Sequence, residues 1–325
     1  MSKKIILDTD PGIDDAMAIL FAEAHPDIDL VGITTVYGNA TIENGTRNAL
    51  YLKERFGFRC DVAKGAEKAL VRPPVGPTVV VHGETGFGDL NASEPQHTKA
   101  DPRPAYQYII DTVKASPGEI TLVAVGPLTN FALALDAAPE ITTLVKEVVI
   151  MGGAFGMNDH RGNVTPFAEA NIHDDPHAAD KVMTADWPVV VLGLDVTEES
   201  FFSAEYLDAL RDEGGEVGQF IWDVSRYYLR FYANKLGLNG CHVHDPSAIA
   251  YVIQPDLFTL RKGPIRVMTE GPGEGMTLQK FDGRRYQTDD WKDMPSQNVG
   301  VGVNEPALLN LYREAIIGYE NKRQG

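Results

Sequence analysis

The chain has 325 residues, 43% of them hydrophobic, and a formal net charge of -17 at pH 7. This length and apolar content are enough for one large domain with a sizeable core. The negative charge disfavours nonspecific binding to nucleic acids and to anionic membranes, because both would meet a repulsive field. We therefore expect a small-molecule partner, with no nucleic acid and no membrane.

The cysteine content and the first residues bear on the cellular compartment. Cys60 and Cys241 are too few and too far apart for a disulfide framework or a zinc cluster, so both are expected to be free thiols. Residues 1–4 lead directly into a short apolar run, without a signal-peptide hydrophobic region or a stretch long enough to span a bilayer. These features predict a cytoplasmic protein.

Short β-branched runs alternate with amphipathic segments along the chain. The runs occupy residues 5–7, 30–36, 120–125, 148–151 and 189–194. Such continuous apolar runs are typical of buried parallel strands joined by helices. Further helices are predicted at residues 215–234 and 246–253, and strand-like runs within 265–303 predict an extension of the sheet. The pattern predicts an α/β fold, an open and mostly parallel central sheet flanked by helices, as a single domain over residues 1–325.

Polar or glycine-rich residues follow each predicted strand. They are Asp8-Thr9-Asp10, Tyr37-Gly38-Asn39, Gly126-Pro127, Gly152-Gly153 and Asp195. Open parallel sheets bind ligands outside the carboxyl ends of their strands, so one shared crevice is predicted there. No internal repeat or flexible linker interrupts the chain, and residues 73–77 are predicted to form a surface loop.

Four aspartates lie within residues 8–15, in a segment with the pattern of a strand, a turn and a helix. Pro11 and Gly12 suit the turn, and Asp14 and Asp15 lie at the predicted helix N-terminus, which favours acids. Two carboxylates about 4 Å apart repel by roughly 4 kcal/mol at an effective dielectric near 20, so such a crowd needs protons or a cation. Oxygen ligands favour Ca²⁺ or Mg²⁺ over zinc, and a loose site with carbonyls and waters favours Ca²⁺.

Two other interpretations of this acidic segment stay open. In the first, the two later aspartates only cap the helix and the two earlier ones are solvated residues at the strand end. In the second, the segment begins a haloacid-dehalogenase-like phosphatase, whose first acid after the strand is a nucleophile. That family would have a small residue followed by Thr or Val after the second acid, and Pro11-Gly12 does not fit this pattern.

A possible acid–base pair occurs in the sequence HVHDP at residues 242–246. Pro246 suits the first turn of a helix. Asp245 would complete a metal site, and His244 would titrate near neutrality and protonate a leaving group. A His-Asp pair at a helix start also serves as a simple cap, so this motif counts only in combination with the acidic segment.

A nine-residue signature and six shorter motifs follow one another along the chain. The signature is DTDPGIDDA at residues 8–16, and the shorter motifs are VYGN (36–39), HGETG (82–86), VGPLTN (125–130), MGG (151–153), AEAN (168–171) and HDP (244–246). In these motifs the chain resembles the inosine-uridine-preferring nucleoside hydrolases over nearly its whole length. The resemblance implies a Rossmann-like nucleoside hydrolase fold and Ca²⁺-dependent hydrolysis of ribonucleosides to ribose and free base, in nucleoside salvage.

The resemblance also implies roles for individual residues. The implied Ca²⁺ ligands are Asp10, Asp15, Asp245 and the main-chain carbonyl of Val125. Asp10 is also the implied general base for the attacking water, with Asp8 behind it, and His244 is the implied general acid. The implied ribose and base contacts are Asp14, Asn39, His82, Asn163, Glu169, Asn171 and Tyr232. Tyr228 joins them by helical spacing, one turn before Tyr232, unless it only packs its helix into the core.

The chain departs from the family pattern at several positions. Valine stands at position 125 where threonine is common, which keeps the carbonyl ligand, and the loop at residues 154–161 is longer than expected. Trp187, Trp222 and Trp291 do not match base-pocket positions, which favours the branch with a histidine acid and a broad purine and pyrimidine preference. The resemblance further suggests a dimer or tetramer. An inert, metal-dependent ribonucleoside-binding protein is the alternative outside enzymes.

Overall fold

The computed structural model of the chain describes residues 2–73 and 76–324, so the predicted loop at 73–77 lies partly outside the described residues. The strands are β1 (Lys3–Thr9), β2 (Ile28–Thr35), β3 (Asp61–Lys64), β4 (Ile120–Ala124), β5 (Glu147–Met151), β6 (Val189–Leu192), β7 (Phe201–Ser203), β8 (Gly240–His242), β9 (Phe258–Gly263), β10 (Ile265–Val267), β11 (Thr277–Gln279) and β12 (Gln297–Val303).

Helices connect most of these strands. They are α1 (Ile13–Ala24), α2 (Ile42–Phe56), α3 (Val79–His82), α4 (Ala105–Ala115), α5 (Thr129–Ala137), α6 (Ala170–Asp174), α7 (Pro176–Thr184), α8 (Leu194–Thr197), α9 (Ala204–Glu213), α10 (Gly215–Leu236), α11 (Pro246–Ile253) and α12 (Glu305–Gln324), with 3₁₀ turns at Pro139–Thr143 and Pro255–Leu257. Within the described residues, no helix is both long and apolar enough to cross a membrane.

The central sheet has eight strands in the order β3-β2-β1-β4-β5-β6-β12-β9. Neighbouring strands pair in parallel, except that β9 runs antiparallel to β12 at one edge. The predicted open, mostly parallel α/β sheet is confirmed. The chain winds outward from β1 in one direction and then from β4 in the other, so the two strands flank the point where an open sheet of this kind binds ligands.

The prediction for residues 265–303 was only partly correct. β12 joins the central sheet, but β10 and β11 pair with each other in a separate two-stranded sheet. The edge strand β9 was not predicted. Its buried residues do not form a continuous apolar run, and Arg261 and Lys262 lie in its middle, as is common where one side of a strand faces solvent.

Two cores cover the two faces of the sheet. In β1, Ile5 and Leu7 belong to the core that includes residues of α1, α2, α10, α11 and α12. Ile6, between them, belongs to the core that includes residues of α4, α5 and α7. Because successive side chains of a strand point to opposite faces, both faces must be apolar, which explains the continuous apolar runs in the sequence.

Candidate active site

The predicted site residues come together at the carboxyl end of the sheet. Buried positions are occupied by Asp8, Asp10, Asp14, Asp15, His82, Val125, Glu169, Asn171, Tyr228, Tyr232, His244 and Asp245. Asn39 is half-buried and Asn163 is exposed. Most of these polar groups are therefore removed from water. In the protein interior each of them needs a hydrogen-bond partner or a ligand.

Asp15 fixes the turn between β1 and α1. Its carboxylate accepts hydrogen bonds from Thr9 Oγ1 at 2.5 Å, from the main-chain N–H of Asp10 at 3.1 Å and from that of Gly12 at 2.9 Å. Asn39 Nδ2 donates a fourth bond at 3.0 Å. Asp15 thus caps the start of α1. The same carboxylate also holds Asn39 beside it.

Asp10 lies beside Asp15 with only one of its two oxygens paired. The main-chain N–H of Asn39 donates to Asp10 Oδ2 at 2.6 Å, and Asp10 Oδ1 is buried with no hydrogen-bond partner. A Cβ atom at Gly38 would lie 2.1 Å from Oδ2, and one at Gly126 would lie 2.6 Å from Oδ1. Glycine is therefore required at both positions, because the backbones after β2 and β4 approach the carboxylate so closely.

Asp15 also belongs to a compact group of three carboxylates. Oxygens of Asp14, Asp15 and Asp245 lie within 4.8 Å of one another. Asp10 does not belong to this set of three. Asp245 Oδ2 is buried without a hydrogen-bond partner. Within the described part of the chain, no lysine or arginine forms an ion pair with any of these four acids.

Burial and mutual repulsion raise the pKa values of these acids. Desolvation, followed by the charge of Asp15, raises the pKa of Asp14 to about 8 and the pKa of Asp10 well above its usual range. The pKa of Asp245 is raised for the same reasons, first by burial and then by the charges of Asp14 and Asp15. Charged carboxylates so arranged require a cation, and their oxygen-only donor set suits a hard divalent ion.

Main-chain and amide groups complete the floor of this site. The carbonyl of Val125 accepts from Asn171 Nδ2 at 3.0 Å, which leaves the carbonyl a second lone pair for a ligand. Asn171 Nδ2 is also 3.2 Å from the carbonyl of Met151. The Asn171 amide nitrogen thus serves the protein main chain, and its carbonyl oxygen is the atom left for a substrate contact.

Glu169 and Asp8 are held by neighbouring donors. Glu169 accepts from the main-chain N–H groups at positions 153, 171 and 172, at 2.9, 2.9 and 3.2 Å, and so caps α6. Asp8 Oδ1 accepts from Thr34 Oγ1 at 2.5 Å and from Asn130 Nδ2 at 2.8 Å. Burial raises the pKa of both acids to about 7.

His244 lies two residues before α11, next to Asp245 of the carboxylate group. Its Nδ1 lies 2.9 Å from Thr197 Oγ1, and its Nε2 lies 3.2 Å from Tyr232 Oη. Burial lowers the pKa of His244 to about 3, so the expected titration near neutrality is wrong for this environment. At neutral pH the ring is neutral and carries one N–H for donation.

Aromatic side chains form a continuous row that begins at His244. The Tyr232 ring lies 5.0 Å from the Tyr228 ring, which lies 5.6 Å from the ring of His82. His82 Nδ1 accepts from the main-chain N–H of Ile13 at 3.1 Å, so its Nε2 carries the proton of the neutral ring. Burial lowers the pKa of His82 to about 4. Tyr228 thus lies between two predicted base-pocket residues as well as packing α10.

The long loop after β5 is anchored by a residue to which no site role was assigned. Asp195, in α8, accepts hydrogen bonds from the main-chain N–H groups of Phe155 at 2.8 Å and Met157 at 2.6 Å. Asn163, farther along this loop, uses its Oδ1 to accept from the main-chain N–H of Ala170 at 3.1 Å. The structure therefore places Asn163 next to Glu169 in an exposed position, and its predicted ribose contact stays a prediction.

Four further residues, to which the sequence assigned no role, hold the functional groups of the site. Thr9, Thr34 and Asn130 bind the aspartates, and Thr197 binds His244. Thr9 and Asn130 lie in motifs that the sequence singled out, and Thr34 and Thr197 do not. The tryptophans have other roles, since Trp187 is a core residue whose Nε1 donates to the carbonyl of Val182, and Trp222 stacks with arginines.

Known proteins match the chain over nearly its full length. A family model described as inosine-uridine preferring nucleoside hydrolase matches residues 5–310. Uridine nucleosidase 1 of Arabidopsis thaliana is 40% identical, covering 97% of this chain and 93% of its own. A pyrimidine-specific ribonucleoside hydrolase of Escherichia coli is 37% identical, covering 98% of both chains.

Solved structures agree with these relatives. A plant nucleoside hydrolase has a TM-score of 0.91 and 34% identity, covering 98% of this chain and 99% of its own. A purine-preferring ribonucleoside hydrolase from Gardnerella vaginalis has a TM-score of 0.90 and 35% identity, covering 98% of this chain and 100% of its own. The chain therefore belongs to the inosine-uridine preferring nucleoside hydrolase family and is a nucleoside hydrolase.

Proposed function

We propose that this enzyme uses Ca²⁺ to hydrolyse the N-glycosidic bond of ribonucleosides, releasing ribose and free base, with a broad preference that includes inosine and uridine. The observation that carries the proposal is the group of buried carboxylates without a cationic side chain, with the buried His244 adjacent to Asp245. A cation and the ribose hydroxyls would satisfy this group. The base would then lie against the row of aromatic side chains.

The carboxylate group fits a metal ion by its own chemistry. The family is metal-dependent, and the buried atoms Asp10 Oδ1 and Asp245 Oδ2 both lack hydrogen-bond partners. The ion would be held by Asp10, Asp15, Asp245 and the carbonyl of Val125. A ligand set made only of oxygen atoms favours Ca²⁺ over zinc. When bound, the cation would lower the pKa of a water molecule and orient the ribose hydroxyls.

Asp10 is the proposed general base. Its Oδ2 is fixed by the main-chain N–H of Asn39, so the orientation of the carboxylate is set before substrate arrives. Its Oδ1 has no protein partner and is the atom available to take a proton from the attacking water. Asp8 lies two residues before Asp10 in the same segment, where Thr34 and Asn130 hold it.

Ribose would bind against the acidic side chains next to the general base Asp10. The proposed contacts are Asp14, Asn39, Asn163, Glu169 and Asn171. Cleavage of the bond to C1′ develops positive charge on the sugar, as in other glycoside hydrolyses. Fixed carboxylates stabilise this charge more than they stabilise the neutral nucleoside, and such differential binding accelerates the reaction.

His244 is the proposed general acid for the departing base. The step requires the protonated ring, which would give its Nε2 proton to the base as the bond to C1′ breaks and so return to the neutral form. Nε2 lies 3.2 Å from Tyr232 Oη. His82, Tyr228 and Tyr232 would surround the base. These groups combine an apolar ring surface with a polar end, so they suit both purines and pyrimidines.

Three further proposals concern the whole protein. A cytoplasmic location is supported by the scarcity of cysteine, and a single domain over residues 1–325 by the continuous strand–helix alternation. A dimer or tetramer is supported by the family resemblance.

The proposal is tested by incubating the purified protein with inosine, uridine, cytidine and adenosine, before and after treatment with EDTA. Reducing sugar and free base are measured together. We expect equal release of both from inosine and uridine, loss of release with EDTA, and recovery with Ca²⁺. Ribonucleoside binding without turnover would support the inert binding protein, and release of phosphate from nucleotides would support the phosphatase.

A further inference from the structure

One hydroxyl group holds the His244 ring at the nitrogen opposite Tyr232. Thr197 Oγ1 lies 2.9 Å from His244 Nδ1, and Thr197 is completely buried. The other ring nitrogen, Nε2, lies 3.2 Å from Tyr232 Oη. Because each ring nitrogen has a separate partner, the ring has one preferred orientation. Rotation of the ring by half a turn would replace both nitrogens by carbons.

We propose that Thr197 is a positioning residue of the reaction, whose hydroxyl fixes the His244 ring so that Nε2 faces Tyr232 and the base. The inference rests on the proposed role of His244 as general acid. A hydroxyl suits this task because it both donates and accepts hydrogen bonds. Thr197 can therefore keep the same ring orientation whether or not Nδ1 carries a proton.

The main chain sets the distance between Thr197 and His244. The N–H of Thr197 donates to the carbonyl of Gly193 at 3.0 Å, which closes the turn of α8 after β6. Three residues later, the carbonyl of Ser200 accepts from the N–H of Val243 at 3.0 Å. β7 and β8 then pair antiparallel beside this bond. The segments carrying the two side chains are thus joined directly beside the contact.

The same turn also holds the substrate-facing loop. Asp195, two residues before Thr197, accepts from the main-chain N–H groups of Phe155 and Met157. α8 therefore contacts the loop on the ribose side through Asp195 and the proposed acid through Thr197. This arrangement gives Thr197 a rigid support, which a positioning residue requires.

The test compares two substrates with different leaving groups. Thr197→Val removes the hydroxyl and keeps the shape, so turnover of inosine should fall by roughly tenfold to 100-fold, the effect of losing one buried hydrogen bond. Turnover of p-nitrophenyl riboside, whose leaving group needs no proton, should change little. Thr197→Ser should restore most of the activity on inosine. If Thr197→Val does not fold, Thr197→Ala replaces it with the same expectation.

Ser200→Ala is the matched control. Ser200 is buried in the same segment, and its Oγ lies 3.2 Å from Ser247 Oγ, with no hydrogen bond to His244. If Thr197→Val acted only by loosening the packing of this segment, Ser200→Ala would have a similar effect on activity. Ser200→Ala should therefore keep the wild-type ratio of the two activities.

A second measurement does not depend on activity. In metal-free protein labelled with ¹⁵N-histidine, Thr197→Val should move the His244 Nδ1 resonance, and Ser200→Ala should leave it in place. Equal losses on both substrates or an unmoved Nδ1 resonance would overturn the role of Thr197. If His244→Ala is selective for inosine and Thr197→Val is not, only the positioning role fails. If His244→Ala shows no selectivity, the acid assignment fails and the positioning role with it.

Discussion

The two ends of the central sheet arrange charge in opposite ways. At the amino end, Lys4 pairs with Glu119 at 2.6 Å in contact with solvent, and Lys3 Nζ donates to the carbonyl of Ile253 at 2.9 Å. At the carboxyl end, buried acids lie together without a cationic side chain. The two lysines at the amino end thus have protein partners, whereas the acids at the carboxyl end need a cation that the described residues do not supply.

Strand β1 contains both arrangements within a few residues. Its lysines begin the strand, and Asp8 and Asp10 lie at its other end. Surface ion pairs contribute little to stability, and clustered buried acids reduce it unless a cation binds. Charge at the carboxyl end is thus placed for binding and chemistry. Changes there should affect activity strongly, and matched changes at the amino end should not.

The largest effect is expected for Asp10. Asp10→Ala or Asp10→Asn should lower turnover by roughly a hundredfold to ten-thousandfold, the usual contribution of a general base. The metal-free variants should be at least as stable as the wild type, because a desolvated charge is removed. Asp29→Asn, at an exposed position near the amino end, is the control and should keep full activity. Substantial turnover by Asp10→Ala would refute the base assignment.

If His244 is the general acid, the loss of turnover in His244→Ala should depend on the leaving group of the substrate. We expect a loss of roughly a hundredfold or more on inosine and a much smaller loss on p-nitrophenyl riboside. His25→Ala, just after the C-terminus of α1, should alter neither rate. The measurement is kcat on both substrates. Similar losses on the two would mean that His244 does not protonate the base.

Calcium should stabilise the folded protein through the carboxylates. At a Ca²⁺ concentration of about 100 times its dissociation constant, the gain is about 2.7 kcal/mol, which amounts to several degrees in Tm. Asp245→Asn should reduce this increase, whereas Glu119→Gln at the amino end should retain it. Thermal unfolding with EDTA and with Ca²⁺ measures this increase in Tm for each variant. An equal Ca²⁺ effect in wild type and Asp245→Asn would place the ion elsewhere.

The smallest effect is expected for Glu23, in the last turn of α1. Burial raises its pKa from 4.5 to about 7, so the folded state binds more protons than the unfolded state between these values. Stability should therefore fall as pH rises from 4.5 to 7, by about 1 kcal/mol after allowance for its exposed part. Glu23→Gln should remove this slope. Denaturant unfolding at pH 4.5, 6 and 8 would show it, and an unchanged slope would exclude Glu23 as its source.

The parts of the fold that the sequence predicted are those with a local signal. Strands buried on both faces are continuous apolar runs, and α11 begins at Pro246, which suits a first turn. The edge strand β9 has neither feature, because one side of it meets solvent. Pairing of β10 with β11 depends on contacts between distant residues, which periodicity does not reveal.

The candidate site divides in the same way. Four aspartates within residues 8–15 indicate a cation site because they are neighbours in sequence. The contact of Thr197 with His244 joins residues 47 positions apart, so no short motif contains it. The low pKa of His244 was also not foreseen, because it results from burial, which a loop sequence does not show.

The central claim is that the acids at the carboxyl end of the sheet bind a cation that the reaction needs. Calorimetric titration of EDTA-treated protein with Ca²⁺, with uridine turnover measured at each point, tests it most directly. We predict one Ca²⁺ per chain and turnover that rises in proportion to occupancy. Full release of ribose by the metal-free protein, or Ca²⁺ binding that leaves turnover unchanged, would contradict the claim.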